Sequence, residues 1–367
     1  YILYPAAVIL LQKLVADKHI RFIRNPGYNP TVSFIIAAYN EERVIERKIQ
    51  NTLLLDYPED KLQIIVVSDG SSDKTPEIAG KYASKGVISM HDPRRAGKSA
   101  ALNRACEQAN GEILIFSDAN NDYEKNAIRL LVRHFADDRV GAVTGCKHIY
   151  TNADRQSAKG DGLYWKYESR IKSAESHLGS ITAAEGEILA VRHSLFTPIP
   201  SGYINDDAAI TFNIVKKGYR VLYDIDAKAY EEASKDLMED FHVKVRMATG
   251  GYQTMASEFF YLFPPRSLFA FSFLSHKVLR WLTAHFMILI LLSSFALSTM
   301  PLVRLFLFFQ LAFYTLAFYG WMRRSNPSLP SIVYIIMYFT SMNLAMFVGF
   351  IKFILGKRSV NWRKAER

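Results

Sequence analysis

The sequence predicts an α/β domain followed by helices that associate with a membrane, and three observations support this. Between residues 30 and 235, the apolar runs VSFIIAA, LQIIVVS, GVISM and EILIFS alternate with helix-like segments. Such runs are typical of parallel strands that are buried on both faces of a sheet. Three longer apolar segments follow at 281–299, 302–320 and 331–355, each about as long as a bilayer-spanning helix. The chain of 367 residues therefore occupies more than one environment.

Helical patterns lie between the apolar runs. The first, ERVIERKIQNTLLL, is predicted to place its apolar and small residues on one face and its charges on the opposite face. The face predicted to pack on the sheet consists of Val44, Ile45, Ile49, Thr52 and Leu53. A second helix is expected from about Lys74, with Ser72 or Asp73 as its cap, and a third through SAALNRACEQA, which Gly111 ends.

Two further segments are predicted to contact the membrane. Residues 1–17 are interpreted as the remnant of a transmembrane helix, because YILYPAAVILLQKLV is apolar but shorter than the roughly 20 residues that cross a bilayer. A cleaved signal peptide is the alternative, although no A-x-A-like site follows the apolar run. Residues 236–280 are predicted to be a membrane-interface segment, since FFYLFPPRSLFAFSFLSHKVLRWL is aromatic, basic and interrupted by proline.

The predicted protein is integral to the plasma or inner membrane, with its α/β domain in the cytoplasm. In that orientation two spans return the chain to the cytoplasm at Arg323 and Arg324, as the positive-inside tendency requires. A third full span would place the basic tail at 356–367 on the opposite side. The last apolar segment is therefore either a span or a re-entrant or interfacial segment.

Composition excludes some classes of partner and site. The formal net charge is +10, but Lys and Arg are spread along the chain without a basic stripe interleaved with aromatics, so we expect no nucleic-acid partner. Membrane lipid and a phosphate-bearing substrate explain the positive charge better. The two cysteines, Cys106 and Cys146, both lie in apolar sequence surroundings, so we expect neither a disulfide scaffold nor a zinc site. The sequence makes no prediction about oligomeric state.

Polar, acidic clusters follow three of the predicted strands. Residues 39–42, 69–73 and 118–122 read YNEE, DGSSD and DANND. Each cluster alone could be a turn or a helix cap. Ligands bind beyond the carboxyl ends of strands in open α/β sheets, so together the clusters predict one binding crevice. The turn AGKSAALN adds helix N–H groups and a lysine that favour an anion, although it lacks the spacing of a P-loop.

The order of these motifs identifies a family resemblance. AAYNEE, SDGSSDKT, GKSAALN, SDANND and INDD, followed by KVRMATGG and apolar segments, resemble the membrane-bound family 2 glycosyltransferases over residues 31 to about 285. That family includes the synthases of hyaluronan, cellulose, chitin and poly-N-acetylglucosamine. The resemblance implies a GT-A, Rossmann-like catalytic domain at 30–235 and the transfer of a sugar from a UDP-sugar. The expected acceptor is a surface polysaccharide or a lipid-linked saccharide.

The resemblance also implies a nucleotide pocket. In the family, the residue at Asp69 accepts a hydrogen bond from the uracil base, which suits a carboxylate that faces an imide N–H. Asn103 could help to shape the same pocket, or it could be a polar residue on a helix surface. The residues expected to bind the nucleotide are Ala38, Tyr39, Asn40, Glu41, Asp69, Lys98, Asp118 and Arg246.

Asp118-Ala119-Asn120 stands where the family has its D-x-D motif, so the resemblance implies a Mg²⁺ or Mn²⁺ cofactor bound by Asp118 and Asn120. These cations prefer hard oxygen ligands and act as Lewis acids on a diphosphate. The final Asn carries one negative charge less than the Asp of the family, which would lower the affinity for the cation unless Asp122 assists.

Asn205-Asp206-Asp207 matches the family's T-E-D motif, so the resemblance assigns the role of general base to Asp207 and an acceptor-side position to Asp206. An inverting transfer needs one carboxylate that takes the proton of the acceptor hydroxyl. The segment AAEGEILAVRHSLF resembles the acceptor loop of the family and implies that Glu185 and Gly186 lie near the acceptor.

Several functional alternatives stay open at this point. Residues 243–247, VKVRM, align with the family's Q-x-x-R-W motif and keep only its arginine, which disfavours processive synthesis, whereas the three apolar segments favour it. A transporter or a non-catalytic sugar-nucleotide binding protein is a further alternative, but its spans should contain ionisable residues at mid-membrane. Tyr164, Trp165 and Tyr167 could stack on sugar rings or belong to the core.

Overall fold

The computed structural model describes residues 3–15, 24–150, 156–232, 237–324, 326 and 329–357, with side chains omitted at 150 and 156–165. A mixed sheet of eight strands forms the centre of the described chain, in the order β3-β2-β1-β4-β7-β6-β8-β5. The strands are β1 (Val32–Ala38), β2 (Leu62–Asp69), β3 (Val87–Asp92), β4 (Ile113–Asp118), β5 (Asn121–Tyr123), β6 (Val140–Tyr150), β7 (Leu189–Arg192) and β8 (Arg220–Glu232).

One half of the sheet is parallel, as the sequence predicts. The four apolar runs form β1 to β4, and β1 pairs in parallel with both β2 and β4, while β2 pairs in parallel with β3. The register places Ala37 beside Asp118, Ala38 beside Ser68 and Asp69 beside Asp92. The acidic clusters therefore emerge at one edge of the sheet.

Alternate residues of the parallel strands enter two separate cores. Phe34 and Ile36 pack on one side of the sheet with Val66, and Ile35 packs on the other side with Val67. All five side chains are completely buried. Burial of an aliphatic or aromatic side chain of this size stabilises the fold by about 1.5–3 kcal/mol, so these strands form a rigid base for the loops at their ends.

The other half of the sheet is not evident from the apolar runs. β7 pairs antiparallel with both β4 and β6, β6 pairs in parallel with β8, and β5 pairs antiparallel with β8. β7 and β5 have only four and three residues. β6 and β8 contain charged residues, and their pairing is interrupted by two register shifts. Short or irregular strands of this kind give a weak periodic signal.

The helices of the amino-terminal part surround this sheet. They are α1 (Leu3–Val15), α2 (Ile45–Leu53), α3 (Thr75–Gly80), α4 (Lys98–Gln108), α5 (Ala127–Val132), α6 (Gln156–Leu178) and α7 (Asp206–Lys216). α1 packs on α6 through Val8, Ile171 and Ala174. Its 13 residues are too few to span a bilayer, so the transmembrane helix at 1–17 stays a prediction.

The inner face of α2 differs from the prediction at one residue. Ile45, Ile49 and Thr52 are buried as expected, but Lys48 is completely buried among them instead of lying on the charged outer face. The predicted helix starts are close to those observed. Asp73 accepts a hydrogen bond from the Thr75 N–H at the start of α3.

The carboxyl-terminal part is helical. Its elements are α8 (Leu237–Ser257), α9 (Phe259–Leu262), α10 (Leu268–Phe273), a π-helical turn (Leu274–Val278), α11 (Leu279–Trp281), α12 (Thr283–Ala296), α13 (Pro301–Met322) and α14 (Ser331–Ile354). Among the described residues, α13 and α14 are each long and apolar enough to cross a membrane. They match the predicted segments 302–320 and 331–355.

The first predicted apolar segment, 281–299, is not one straight spanning helix. α12 has 14 residues and is bent by 56° from the preceding helical stretch, Leu268–Trp281. The two stretches together could form a broken span or a re-entrant loop. A continuous apolar segment predicts that a helix lies in lipid, but it does not predict the direction of that helix. The bend could therefore not be predicted from composition.

Candidate active site

Side chains from three distant segments meet at the carboxyl edge of the sheet. The Nζ atom of Lys98, at the start of α4, lies 2.7 Å from Asp118 Oδ1 at the end of β4. The same nitrogen lies 3.4 Å from Asp206 Oδ2 at the start of α7. Three of the predicted site residues are thus in direct contact.

Asp207 lies beside this group, next to a glycine. A Cβ atom placed on Gly186 would lie 3.4 Å from the Cβ of Asp207 and 3.8 Å from the Nζ of Lys98. The loop that contains Glu185 and Gly186 therefore borders the Lys98–Asp118–Asp206 group. A larger side chain at 186 would fill the space beside Asp207.

The charges of the site set its protonation. Burial and the neighbouring carboxylate of Asp206 raise the pKa of Asp207 to about 7. Burial alone would also raise the pKa of Asp118, but the Lys98 ammonium more than offsets it and holds that pKa below its usual value. Two carboxylates of one crevice therefore differ in protonation, which is typical of sites that transfer protons.

The turn Asp118-Ala119-Asn120 is surrounded by a second group of charges. Asn120 donates a hydrogen bond from Nδ2 to Glu231 Oε1 at 2.9 Å. Lys147 pairs with the same Glu231 and lies 3.2 Å from Glu187. Glu231 thus orients the carboxamide of Asn120, and its own charge is balanced by Lys147.

The oxygen donors of this turn fit a divalent cation that also binds a diphosphate. No cluster of three or more His, Cys, Asp or Glu side chains in the described part of the chain is arranged as a metal site. Mg²⁺ is commonly held by only one or two carboxylates together with substrate phosphates. Asp118 and Asn120 supply one carboxylate and one amide oxygen, which suits that shared mode. The Lys98 ammonium lies 2.7 Å from Asp118, which shows that this position attracts positive charge.

Arg246, on α8, lies close enough to Asp118 for its charge to help lower the pKa of that carboxyl. It forms no ion pair with any carboxylate among the described residues, in contrast to Lys98 and Lys147. A guanidinium that is half-buried and lacks an acidic partner suits a phosphate, onto which it can donate two parallel hydrogen bonds.

The loop after β1 is bound to the loop after β2. Asn40, with a positive φ of 53°, donates its N–H to Ser71 Oγ at 3.0 Å and accepts from the Ser72 N–H at 2.8 Å. Glu41 donates its N–H to Thr75 Oγ1 at 2.7 Å. At the same edge, the Arg95 guanidinium covers the ring of Tyr39, 3.6 Å from its centroid. Ala38, the last residue of β1, is buried beneath them.

Asp69, which is expected to accept a hydrogen bond from the base, is buried at the end of β2 and already has protein partners. Only 5% of the residue is exposed, and its carboxylate accepts hydrogen bonds from the Ala96 and Gly97 N–H groups and from Arg104. It thereby holds the turn that precedes Lys98. Contact between Asp69 and a base stays a prediction, and the structure adds this second role.

The side chain of Asn103 is hydrogen-bonded to the backbone of a distant segment. Its amide donates to the Ile199 carbonyl and accepts from the Ile199 N–H, both at 2.9 Å. This reciprocal pair fixes the segment that leads to Asn205. Tyr167 packs against the core between α1 and α6, whereas the side chains of Tyr164 and Trp165 lie outside the described residues.

Five charged residues next to the site are absent from the sequence prediction. Lys172 on α6 pairs with Glu185 and so holds the loop that contains Glu185 and Gly186. Glu187 follows Glu185 by two residues, so the alternation EGE was a readable signal. Nothing local in the sequence distinguishes Lys147, Glu231 or Lys172, because their partners are distant in the chain. The fifth is Lys48, whose burial becomes evident only in the structure.

α8 connects the start of α7 to a candidate membrane span. Asn205 donates its side-chain amide to the Met247 carbonyl at 3.1 Å and packs on Gly250. On another part of α8, Gly349 of α14 lies against Ala248, where a Cβ would approach to 2.6 Å. The two glycines allow close packing of α7 on α8 and of α8 on α14, so Asp206 and Asp207 rest indirectly on a helix that could span the membrane.

We expect Gly250→Ala to lower both stability and turnover. The added methyl would lie 2.4 Å from Asn205 Oδ1, so the side chain of Asn205, which lies directly before α7 and donates to the Met247 carbonyl, must move. Overpacking of this kind costs about 1–3 kcal/mol of unfolding free energy. Thermal unfolding and kcat are the measurements, with Gly80→Ala as the control because no atom lies within 4 Å of its added methyl. Wild-type kcat in Gly250→Ala would contradict the packing argument.

Comparisons with known proteins show similarity to glycosyltransferases. Residues 33–191 match the model described as glycosyl transferase family 2. The chain is 28% identical over 239 residues to a poly-beta-1,6-N-acetyl-D-glucosamine synthase of Staphylococcus aureus (strain COL), covering 62% of this chain and 56% of that protein. It is also 28% identical over 232 residues to a beta-monoglucosyldiacylglycerol synthase of a Synechocystis species, covering 61% of this chain and 48% of that one. The chain thus spans about half the length of these curated relatives.

A solved structure shares the fold over nearly the whole chain. The mannosyltransferase PcManGT from Pyrobaculum calidifontis, in complex with GDP-Man and Mn²⁺, superposes with a TM-score of 0.73 at 23% identity. The match covers 96% of this chain and 95% of that one. The predicted GT-A fold and the predicted resemblance to family 2 glycosyltransferases are confirmed.

Proposed function

Because residues 33–191 belong to glycosyl transferase family 2, we propose that this chain transfers a sugar, with inversion, from a UDP-sugar to a saccharide or lipid-linked saccharide at a membrane. The convergence of Lys98, Asp118 and Asp206 beside Asp207 is the observation that supports this most strongly. In this proposal Asp118 binds a cation and Asp207 is the general base, and both lie in one crevice with Lys98.

Asp207 is suited to act as the general base. A carboxyl with a pKa near 7 is deprotonated in a large fraction of molecules at neutral pH, and it is basic enough to accept a hydroxyl proton as the acceptor oxygen attacks. Gly186 leaves room beside it for that oxygen. Attack on the face of the sugar opposite the diphosphate inverts the anomeric centre.

Lys98 and Arg246 bind the diphosphate in this proposal. Both side chains are cationic. When Asp118 binds a metal ion in place of Lys98, the diphosphate of the donor becomes the anionic partner of Lys98. Asp118 and Asn120 would hold Mg²⁺ or Mn²⁺. When bound, that cation neutralises charge on the departing diphosphate. The structural relative is a complex with GDP-Man and Mn²⁺, which supports a divalent cation for this chain too.

The acceptor side favours the addition of one sugar at a time. Val243 and Met247 stand where processive relatives have Gln and Trp, and Met247 is 46% exposed without an aromatic face on which a sugar could stack. The glycolipid synthase among the relatives supports a lipid-linked acceptor, and the poly-N-acetylglucosamine synthase supports a polysaccharide. Processive synthesis is the alternative, which the size of the product distinguishes.

We place the catalytic domain on the cytoplasmic face of the membrane, with α13 and α14 as spans. Exposed aromatic side chains of α9 and α10 support a position at the lipid interface, since Phe260 is 94% exposed and Phe271 is 55% exposed. Protease accessibility of the catalytic domain in inside-out and right-side-out vesicles tests this orientation.

A donor screen tests the proposal. The full chain in lipid nanodiscs, with Mn²⁺ and a membrane lipid extract, is incubated with radiolabelled UDP-glucose, UDP-N-acetylglucosamine, UDP-galactose and GDP-mannose. We expect transfer from a UDP-sugar, with a product linkage of opposite anomeric configuration by NMR. Transfer from GDP-mannose alone would overturn the choice of nucleotide, and no transfer from any donor would overturn the proposed activity.

We expect kcat to rise with pH across neutrality. Asp207 must be deprotonated to act as base, and with a pKa of about 7 only about one tenth of the molecules are competent one pH unit below it. Transfer rates at saturating donor and Mn²⁺, measured from pH 5.5 to 8.5, should climb and then level off above pH 7. A flat or falling profile over that range would contradict this role.

A further inference from the structure

Lys48 is a buried lysine that the proposed chemistry does not use. It belongs to α2 and is completely buried. Removing a lysine from water costs free energy unless its surroundings compensate. An apolar residue of similar length would avoid that cost, so the local contacts of Lys48 need an explanation.

Those contacts lead to the turn that contains Asp118 and Asn120. Lys48 Nζ donates a hydrogen bond to Asn121 Oδ1 at 2.7 Å, and Ser117 Oγ donates to the same oxygen at 3.1 Å. Ser117 and Asn121 are each 1% exposed. They immediately precede and follow Asp118-Ala119-Asn120, so this hydrogen-bonded group joins the two ends of the tripeptide.

Aromatic rings hold the lysine in place. Its Nζ lies 4.3 Å from the ring centroid of Tyr123 and 5.3 Å from that of Phe34, within the range of a cation–π contact. The Tyr123 hydroxyl donates to the Glu187 carbonyl at 2.8 Å, and Asn121 Nδ2 donates to the same carbonyl at 3.3 Å. The end of Lys48 is thus fixed by groups that also fix the base of the site.

We propose that Lys48 is a positioning residue that, with Ser117 and Asn121, clamps the Asp118-Ala119-Asn120 turn in the shape that binds a divalent cation and a diphosphate. We name Lys48, Ser117 and Asn121 the turn clamp. The link to a cation rests on the proposed function, whereas the mechanical role does not. Nζ donates to Asn121 as an ammonium or as a neutral amine, so the clamp does not depend on its protonation.

Lys48→Met removes the donor and keeps an unbranched side chain of similar length. In this variant we expect the backbone amides of residues 113–123 to lose protection against hydrogen exchange, while the amides of the other core strands stay protected. The measurement is made on the full chain in nanodiscs. In electron paramagnetic resonance titrations with UDP, the Kd for Mn²⁺ should rise about 10–100-fold, as when other groups that orient metal ligands are lost. Lys81→Met is the matched control, because its side chain is 65% exposed and pairs only with Glu77 among the described residues.

Ser117→Ala is the second variant, in case Lys48→Met does not fold. It removes one hydroxyl from the other end of the turn clamp and should change both measurements in the same direction by a smaller amount. Unchanged protection at 113–123 in the folded variants would overturn the clamp. Loss of protection throughout the domain with wild-type Mn²⁺ affinity would overturn it too, since Lys48 would then serve the core alone.

The two proposals fail in distinguishable ways. If the wild-type chain transfers no sugar, the proposed function is wrong, but exchange at 113–123 still decides whether the turn clamp exists. If transfer is observed and Lys48→Met keeps both its exchange protection and its Mn²⁺ affinity, the clamp is wrong and the function stands.

Discussion

Asp207→Asn is expected to lower kcat by about 10²–10⁴-fold, the usual contribution of a general base. The amide has almost the same shape as the carboxyl but cannot accept the proton of the acceptor hydroxyl. Within the described part of the chain Asp207 forms no ion pair, and the ion pair between the neighbouring Asp206 and Lys98 remains in the variant. Binding of the donor should therefore persist.

Single-turnover transfer and donor binding by isothermal titration are the two measurements, and both are needed. Asp60→Asn, an exposed position in the same domain, is the matched control and should behave as wild type. A transfer rate in Asp207→Asn close to the wild-type rate would remove the base assignment. Loss of donor binding along with the rate would show instead that Asp207 shapes the donor site.

The remaining pH dependence of Asp207→Asn gives a further check. If Asp207 is the group that must be deprotonated, the rise in kcat across neutral pH should disappear in this variant. A rise that persists would assign the titration to another carboxyl of the site, such as Glu187, whose pKa is raised by burial.

Asp118→Ala is expected to lower kcat/KM by at least about 100-fold and to abolish the response to added Mn²⁺. Stabilisation of a leaving diphosphate by a cation contributes several kcal/mol, and each 1.36 kcal/mol corresponds to a tenfold change in rate. Within the tripeptide Asp118-Ala119-Asn120 the carboxylate comes from Asp118, since Asn120 carries an amide. Loss of this carboxylate also removes the 2.7 Å ion pair of Lys98 with Asp118, while the ion pair of Lys98 with Asp206 stays.

Initial rates over a Mn²⁺ titration measure this effect, with Asp138→Ala as the control at an exposed position. Asp118→Asn adds a second comparison, since it keeps an oxygen ligand without the charge and should fall between the wild type and Asp118→Ala. A variant at Asp118 that keeps the wild-type response to Mn²⁺ would move the cation to other ligands, such as Glu231 or Asp122.

The parallel half of the sheet and the order of its motifs were predictable because each depends on residues close together in the chain. A strand such as VSFIIAA is recognised by its own composition, and Asp118 by its position directly after one. Asn205-Asp206-Asp207 was likewise found as a local motif. Convergence of these residues follows from the rule that parallel strands expose their carboxyl ends at one edge.

The role of Asp69 shows the limit of that reasoning. Its position at the end of β2 was readable, but the hydrogen bonds that occupy its carboxylate come from Ala96, Gly97 and Arg104, about 30 residues further along. Only the path of the loop after β3 brings them there. The bend before α12 and the antiparallel strands β7 and β5 were missed for a related reason, since short elements take their direction from what they pack against.

The sequence alone determined a resemblance to family 2 glycosyltransferases, whose model matches residues 33–191, together with an acidic crevice at the strand ends and apolar helices behind it. These properties reside in local composition and motif order. The tertiary structure decided which charges meet: Lys98 with Asp118 and Asp206, Lys172 with Glu185, and Lys48 beneath the D-A-N turn. The physical reason is that a charge acquires its protonation and its role from burial and from partners within a few ångströms, and these partners are contributed by segments far apart in the chain.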